Sequence, residues 1–299
     1  MIIIGAGLSG LLAAQYFRSH DPIVYEQQDS LPNNHHALLR FRSNAVSDLT
    51  GIRFKKVNVQ KLISYEDQHY TTPNLVFNNM YSKKCTGAYR SRSLMNLEPV
   101  DRYIAPPDFI SRVANGINVV YGVTNAIGSD NLNPVISTIP MIALAHQLGY
   151  KFTTDFPSRP IWTITAEIFD DVDIYQTVYY PDPMIPLYRM SITGDRVIAE
   201  FVIPPEQARI DPEPYISYML EKDFGIGATV TDVETHNQSH GKLLQTDKKA
   251  AQDFISWASR KHNIYSLGRW GTHRQLLMDD VVHDLKVIDN LIESNQYRR

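Results

Sequence analysis

The stretch Met1-Ile2-Ile3-Ile4-Gly5-Ala6-Gly7-Leu8-Ser9-Gly10 opens the chain and decides the fold. Its apolar, mostly β-branched start is typical of a short strand buried in a parallel sheet. The glycines match the pattern G-x-G-x-x-G, and the apolar residues among 11–17 predict a helix that ends at Asp21-Pro22. Ile23-Val24-Tyr25 indicates a second strand, which ends at Glu26. This order predicts a βαβ unit of the dinucleotide-binding kind.

The residue types in this unit suit a dinucleotide. Gly5 allows a tight turn, Gly7 lets the backbone approach a pyrophosphate, and Gly10 allows close packing of helix on strand. The helix N-terminus offers free N–H groups and a positive dipole to the phosphates. Glu26 lies where a carboxylate accepts hydrogen bonds from a ribose, so FAD or NAD is preferred over NADP. A glycine-rich turn without a ligand is the structural alternative.

The composition of the 299-residue chain limits the remaining function classes. The formal net charge is −3, so nothing global favours capture of nucleic acid, although a local basic patch is compatible with it. Cys85 is the one cysteine, which excludes a disulfide framework and a cysteine-based metal site; we expect no metal. No apolar run approaches the roughly 20 residues that span a bilayer, so we expect a cytoplasmic protein without a membrane partner.

Three later segments extend the pattern. Asn118–Val123 and Pro134–Pro140 have the composition of strands, and Asn263–Gly271 predicts a further strand that runs into a Gly-Arg pair. Met278-Asp279-Asp280 precedes a helix predicted over residues 281–292, whose apolar residues recur close to every 3.6 positions. Acidic residues suit the N-terminus of such a helix.

The N-terminal fingerprint, the segment Val135–Pro140 and the pair Gly268-Arg269 with Met278-Asp279 together resemble the superfamily of amine oxidase, protoporphyrinogen oxidase and UDP-galactopyranose mutase. The resemblance implies that the cofactor is FAD. It also implies that the C-terminal Gly-Arg segment returns to the FAD domain and that the last helix points its N-terminus at the flavin and ribityl chain.

Motif and resemblance together predict a set of cofactor contacts. They are Gly5, Gly7, Ser9, Gly10, Glu26, Gln27, Arg42, Val123, Gly268, Arg269, Met278 and Asp279.

One loop departs from the superfamily pattern. Paired glycines usually follow the ribose-binding acid, but this chain has Pro32-Asn33-Asn34-His35-His36-Ala37 there. His35 or His36 could take the place of a flavin-facing histidine, and we assign this role to His36; a polar loop with solvated histidines is the alternative.

The resemblance also predicts the organisation of the chain. The fold class is α/β: a Rossmann-like FAD-binding domain interleaved with a smaller α+β substrate domain that contains an antiparallel sheet. We assign residues 1–60, 95–150 and 255–299 to the FAD-binding domain, and residues 61–94 and 151–254 to the substrate domain. Within the latter, Gly194-Asp195 indicates a hairpin turn between two strands. The oligomeric state stays open.

The candidate catalytic residues are His36, Arg189 and Arg274, the two arginines as anchors for a substrate carboxylate. The segment His35–Ser43 resembles compact bacteriophage flavoproteins, some of which act in thymidine hypermodification. This similarity implies an amine substrate, specifically an amino-acid-modified thymine in phage DNA that is oxidised at a C–N bond to give an aminomethyl base. Basic islands at Lys55-Lys56, Lys83-Lys84 and Arg90/Arg92 would suit a DNA backbone, although solvated surface charge is the favoured explanation for such islands.

Three other functions stay open at this point. They are an oxidase of small amines or free amino acids, a UDP-sugar mutase-like flavoenzyme without net redox, and a non-catalytic nucleotide-binding module.

Overall fold

Two sheets organise the chain in the computed structural model, which describes residues 1–31, 40–124, 133–169, 172–244 and 247–296. The strands within these residues are β1 (Ile2–Ile4), β2 (Ile23–Tyr25), β3 (Arg40–Phe41), β4 (Lys55–Tyr65), β5 (Gln68–Tyr70), β6 (Val100–Ile104), β7 (Asn118–Val120), β8 (Val135–Ser137), β9 (Ser158–Ile168), β10 (Ile174–Tyr179), β11 (Leu187–Gly194), β12 (Arg196–Phe201), β13 (Val230–Leu243) and β14 (Ile264–Ser266). The α-helices are α1 (Leu8–Tyr16), α2 (Ala45–Thr50), α3 (Leu75–Thr86), α4 (Phe109–Ala114), α5 (Met141–Gln147), α6 (Pro212–Phe224), α7 (Lys248–His262), α8 (Gly268–Gly271) and α9 (Met278–Gln296).

The first sheet is parallel throughout, with the strand order β14-β8-β1-β2-β7. Successive side chains of β1 point to opposite faces. Ile3 therefore packs into the core that α1 and α9 cover, and Ile4 packs into the core that α5 and α7 cover. Helices on both faces of a parallel sheet define the doubly wound arrangement, so the prediction of a Rossmann-like domain is confirmed.

The turn between β1 and α1 depends on its glycines. Gly5 has φ +96°, a conformation that L side chains rarely adopt. A Cβ on Gly10 would lie 1.9 Å from the Gly5 carbonyl oxygen, so only glycine lets the helix approach the strand this closely. The chain leaves the helix through a short 3-10 turn and the left-handed Asp21, directly before Pro22.

The second sheet has nine strands in the order β13-β9-β12-β11-β10-β4-β6-β3, with β5 paired to β4. The hairpin predicted at Gly194-Asp195 joins β11 and β12. The expectation of an antiparallel sheet needs one correction, because β10 and β4 are parallel. The long strand β4 causes this: its first half pairs with β6 and its second half with β10, which comes about a hundred residues later in the chain.

Helices cover the second sheet unevenly. On one face, α6 buries Ile216 and Leu220 against the sheet. On the other, α3 packs Phe77 and Tyr81 against Tyr179 and its neighbours, and covers only part of the surface.

The second sheet also includes strands from ranges that we assigned to the FAD-binding domain, namely β3, β6 and the first half of β4. The domain boundaries themselves stay a prediction. Within the described ranges, no helix combines the length and apolarity needed to cross a bilayer.

Candidate functional site

A cavity of about 340 Å³ opens beyond the carboxyl ends of the parallel strands. Ligands of doubly wound sheets bind at this edge, where the strand order reverses. The described residues that line it come from the ends of β1, β2, β7 and β8 and from α5 and α8: Ile4, Gly5, Gly7, Tyr25, Glu26, Gln27, Gln28, Val123, Thr124, Thr138, Ile139, Ala143, Gln147 and Trp270. We call this space the dinucleotide cavity.

Glu26 is the buried acid of this cavity, with 8% of its surface exposed. Its Oε2 accepts a hydrogen bond from the Ala6 backbone N–H at 2.7 Å, and its Oε1 accepts one from the Gln28 N–H at 3.0 Å. These bonds fix the carboxylate between the glycine turn and the strand that follows. Each oxygen keeps acceptor capacity, so the carboxylate can also accept the hydroxyl groups of a ribose.

Gly7 leaves space where a pyrophosphate belongs. It has an ordinary φ of −64°, and a Cβ built on it would meet no protein atom within 4 Å. The backbone conformation therefore permits other residues at position 7. Glycine is needed there only to keep the path of the pyrophosphate open. Together with the N-terminus of α1, this cradle fits the phosphates of a dinucleotide.

The C-terminal Gly-Arg pair forms the short helix α8 after strand β14. Gly268 has φ +81°, and a Cβ there would lie 2.7 Å from Ser9 Oγ, so this glycine lets α8 pack against the start of α1. Within α8, Trp270 lines the dinucleotide cavity and Arg269 lines a second cavity, with its guanidinium 5.4 Å from the Trp270 ring centroid. Helix α8 thus contributes to both cavities.

The second cavity, of about 500 Å³, lies on the face of the nine-stranded sheet that α3 leaves uncovered. We call it the basic cavity, because its described lining contains seven cationic side chains and one carboxylate. The cations are Arg40, Lys61, Arg92, Arg102, Arg189, Lys242 and Arg269, and the carboxylate is Glu200.

Glu200 is held at the centre of the basic cavity. Arg189 and Glu200 are cross-strand partners on β11 and β12, and Arg189 Nε donates to Glu200 Oε2. The buried Tyr188 hydroxyl donates to Glu200 Oε1 at 2.6 Å. Burial would raise the pKa of the Glu200 carboxyl, but the charges of Arg189 and Lys242 lower it below its usual value. The carboxylate is therefore ionised at neutral pH.

Lys242 extends over the Tyr188 ring, with Nζ 3.9 Å from the ring centroid. Burial lowers the pKa of this ammonium to about 8; Glu200 opposes the shift and the nearby charges of Arg189 and Arg92 add to it. The basic cavity thus holds a lysine that titrates close to physiological pH.

The predicted cofactor contacts are distributed over several environments. Gly5, Gly7, Glu26, Gln27 and Val123 line the dinucleotide cavity. Three others serve packing: Gly10 and Gly268 allow close approach, and Ser9 faces Gly268.

Asp279, Arg42 and Met278 contact other parts of the protein. The Asp279 carboxylate accepts hydrogen bonds from Arg42 N, Ser43 N and Ser43 Oγ, which ties the start of α9 to the segment after β3. Arg42 pairs with Asp280 at 2.6 Å, and Met278 packs against the core of the first sheet. None of the three is among the described lining residues of either cavity.

Of the candidate catalytic residues, the structure brings only Arg189 into a cavity. Arg274 forms an ion pair with Asp284 and is not among the described lining residues. His36 lies outside the described residues.

The basic islands do not form one free surface. Lys55 pairs with Asp173 and Lys56 with Asp101. Lys84 Nζ points inward and donates to the carbonyls of Tyr180, Asp182 and Leu187. Arg92, from the third island, lines the basic cavity.

Sequence reasoning missed Glu200, Lys61, Arg102 and Lys242. A signal existed for Glu200: a two-residue hairpin at Gly194-Asp195 places residue 189 opposite residue 200, so the strand pairing predicts an Arg–Glu pair. The other cations come from strands whose neighbours in the sheet are distant in sequence, and no local pattern marks them. The described residues contain no cluster of three or more histidine, cysteine or acidic side chains arranged for a metal ion.

No protein-family model matches the sequence, and a search of curated proteins gives no match. Solved structures match over nearly the whole chain. A reduced UDP-galactopyranose mutase has a TM-score of 0.69 at 12% identity, covering 98% of this chain and 93% of that chain. An oxidoreductase from Methanosarcina mazei has a TM-score of 0.58 at 11% identity, covering 97% and 99%.

A third similar structure, aklavinone-11 hydroxylase in complex with FAD and aklavinone, has a TM-score of 0.55 at 10% identity and covers 99% of this chain and 62% of that chain. At these identities the likeness shows the fold. The chain has the mixed α/β fold of these structures, and the predicted fold class is confirmed.

Proposed function

We propose that this protein is an FAD-dependent oxidoreductase that oxidises a C–N bond of an amine carrying anionic groups. The observation that carries the proposal is helix α8, which contributes Trp270 to a cavity built for a dinucleotide and Arg269 to a cavity lined by cations. A cofactor with its adenosine end in the first cavity and its reactive end toward the second would meet an anionic substrate there.

The residues of the dinucleotide cavity fit FAD. Glu26 would accept the ribose hydroxyl groups, and the N–H groups at the start of α1 would receive the pyrophosphate across the open face of Gly7. FAD, when bound, accepts a hydride from a carbon next to nitrogen. The resemblance to UDP-galactopyranose mutase and the hydroxylase favours FAD over NAD.

The basic cavity would bind and orient the substrate. Arg189 uses Nε for Glu200, and its side chain keeps 39% of its surface accessible, so its remaining N–H groups can hold a carboxylate or phosphate. Lys242 would exchange a proton with the substrate amine, since it titrates near neutral pH. The loss of one hydride from carbon and one proton from nitrogen gives an imine, which water cleaves to an amine and a carbonyl compound.

The particular substrate that we infer is an amino acid attached to the thymine methyl group in DNA. Oxidation of its C–N bond and hydrolysis would leave an aminomethyl base and release an oxo acid. The cations of the basic cavity, rather than the surface islands, would meet the phosphates and the carboxylate of this substrate. A base in a duplex must leave the stack to reach an enclosed site.

The test is anaerobic reduction of the bound flavin. Glycine-modified thymidine in DNA is expected to bleach the flavin, whereas free glycine at the same concentration is not. Equal reduction by free amino acids would favour a small-molecule oxidase, and no reduction by any amine would reject the proposal.

A UDP-sugar mutase-like activity is the second candidate, favoured by the TM-score of 0.69 to UDP-galactopyranose mutase and by the basic cavity. It predicts that UDP-galactose binds and is converted only by the reduced protein, with no net change in the flavin spectrum.

A further inference from the structure

The carboxylate that lines the basic cavity does not balance the cations that line it. Glu200 is the one carboxylate among its described lining residues, and Arg189 already pairs with it. Six further cations share the space. Buried charges are stable when they are paired, so an excess of this size indicates that an anionic ligand completes the site.

Three of the cations form a first cluster, Arg40, Lys61 and Arg102. Their hydrogen bonds within the described structure go only to neutral groups. Arg40 donates to Thr177 Oγ1 at 3.1 Å and to the Ile192 carbonyl at 3.2 Å. Lys61 Nζ donates to the Asn96 carbonyl at 2.7 Å, and Arg102 Nη1 to the adjacent Asp101 carbonyl at 2.8 Å.

The members of the first cluster also repel one another. Burial lowers the pKa of Arg40 to about 10, and the charges of Arg189 and Arg102 contribute. Burial likewise lowers the pKa of Lys61, with Arg102 adding to the effect and Glu98 opposing it. An anion bound beside the three cations would offset this repulsion.

Arg92, Lys242 and Arg269 form a second cluster. Arg269 Nη2 donates to the Gly241 carbonyl at 3.1 Å, whereas its buried Nε has no hydrogen-bond partner among the described residues. Lys242 rests on the Tyr188 ring, and no carboxylate lies within ion-pair distance of it or of Arg92 in the described part of the chain. Burial lowers the pKa of Arg269, and Arg92 and Arg189 contribute.

The sheet topology keeps the two clusters apart. Lys61 lies on β4 and Lys242 on β13, five strand steps apart, with the Arg189–Glu200 pair between them on β11 and β12. At about 4.8 Å per step, an unbent sheet would separate the two backbones by about 24 Å, and coiling of the sheet shortens this. A single small anion cannot reach both clusters.

We propose that the basic cavity binds one substrate through two separate phosphate groups, one at each cluster. Each cluster contributes three cationic side chains to the lining of the cavity, which suits a group with several acceptor oxygens better than a lone carboxylate. The inference rests on the proposed function in that both use this cavity for the substrate. It adds the substrate class: consecutive phosphodiesters of a nucleic-acid strand. The two phosphates of a nucleoside diphosphate share a bridging oxygen and cannot lie at two separate clusters.

The test compares binding of thymidine 5′-monophosphate, thymidine 5′-diphosphate and the 5′-phosphorylated thymidine dinucleotide by calorimetry at low salt. The flavin-loaded, oxidised protein is used, and no turnover is needed. The variants are Arg102→Gln in the first cluster, Arg92→Gln in the second, and the double variant. Lys249→Gln is the matched control, because Lys249 lies on α7 in an exposed ion pair with Asp253.

We expect wild type to bind the dinucleotide more tightly than the monophosphate. The diphosphate should bind less tightly than the dinucleotide, because its joined phosphates reach only one cluster. Each single variant should lower the affinity for the dinucleotide by about tenfold to a hundredfold, the scale for a charged hydrogen-bond partner. Either single variant should then bind the dinucleotide no better than the monophosphate, while the control matches wild type.

Two results would overturn the inference. One is an unchanged affinity for the dinucleotide in either single variant. The other is a loss of affinity accompanied by a loss of thermal stability of the ligand-free protein, because removal of a repelled cation should leave stability equal or higher. Tight two-phosphate binding without flavin reduction by modified DNA would reject the proposed chemistry and leave the two-phosphate site intact.

Discussion

The dinucleotide cavity and the basic cavity share helix α8 but are encoded in different ways. The first takes its turn, its acid and its helix N-terminus from the first 28 residues, in an order that the chemistry of phosphates and ribose requires. The second takes its cations from segments spread between Arg40 and Arg269. A site that holds its ligand mainly through the backbone has a local sequence pattern. A site built from side chains on several strands of a sheet has no such pattern.

The largest effect should come from the carboxylate at the centre of the basic cavity. Glu200→Gln removes the counter-charge of Arg189. We expect the free energy of unfolding to fall by about 3 kcal/mol, the low end for breaking a buried pair, because Arg189 keeps 39% of its side chain accessible. Chemical denaturation measures this, and Glu167→Gln on the exposed side of β9 serves as the control.

Glu200→Gln should also make the free energy of unfolding less dependent on pH in the acid range. Because the folded pKa of Glu200 is lowered, its contribution is present above the ordinary value of 4.5 and is lost as pH falls through the folded pKa. Below that pH, wild type and variant should converge. A constant difference from neutral to acid pH would contradict the ionised state of Glu200.

Gly7→Val tests the cradle without disturbing its backbone. The φ of −64° and the open space at the Cβ position allow valine, which would project into the pyrophosphate path. We expect a folded protein whose FAD affinity falls by about a hundredfold, the upper end for overpacking. Flavin content after gel filtration measures it. Gly227→Val, at a second open position, should keep its flavin; equal flavin in the two variants would reject the cradle.

Glu26→Ala should weaken FAD binding by about 1.5–3 kcal/mol, the scale for a charged hydrogen-bond partner. It also removes the acceptor for Ala6 N and Gln28 N. Glu26→Gln separates the two roles, because the amide keeps one acceptor oxygen. Fluorescence titration of the flavin-free protein gives the affinities, and an FAD affinity unchanged in Glu26→Ala would show that the acid serves only the turn.

The smallest effect should come from Arg274→Gln. Arg274 pairs with Asp284, and its side chain is 50% exposed, so we expect a loss of at most about 1 kcal/mol of stability. Flavin reduction by substrate should be unchanged. A large rise in KM with normal stability would restore Arg274 as a substrate anchor.

Sequence reasoning predicted the parts of the fold that depend on residues close to one another in the chain. The βαβ unit, the hairpin at Gly194-Asp195 and helix α9 follow from glycines, acidic residues at a helix start and apolar spacing. It did not reach the parallel pairing of β4 with β10, because the two strands are more than a hundred residues apart and each also suits an antiparallel neighbour.

The same difference between local and long-range contacts explains which site residues were predictable. Glu26 follows a strand and a fingerprint, so its place is predictable. Asp279 has the right sequence position for a cofactor contact, yet its carboxylate binds the backbone of Arg42 and Ser43, which only the packing of α9 reveals.

The absorption spectrum of the purified protein, after incubation with FAD and gel filtration, tests the account most directly. We predict visible flavin bands that comigrate with the protein, and a heat-released ligand that contains both flavin and adenine. A colourless protein that binds NADH instead would contradict the assignment of the dinucleotide cavity to FAD, and with it the oxidation proposed for the basic cavity.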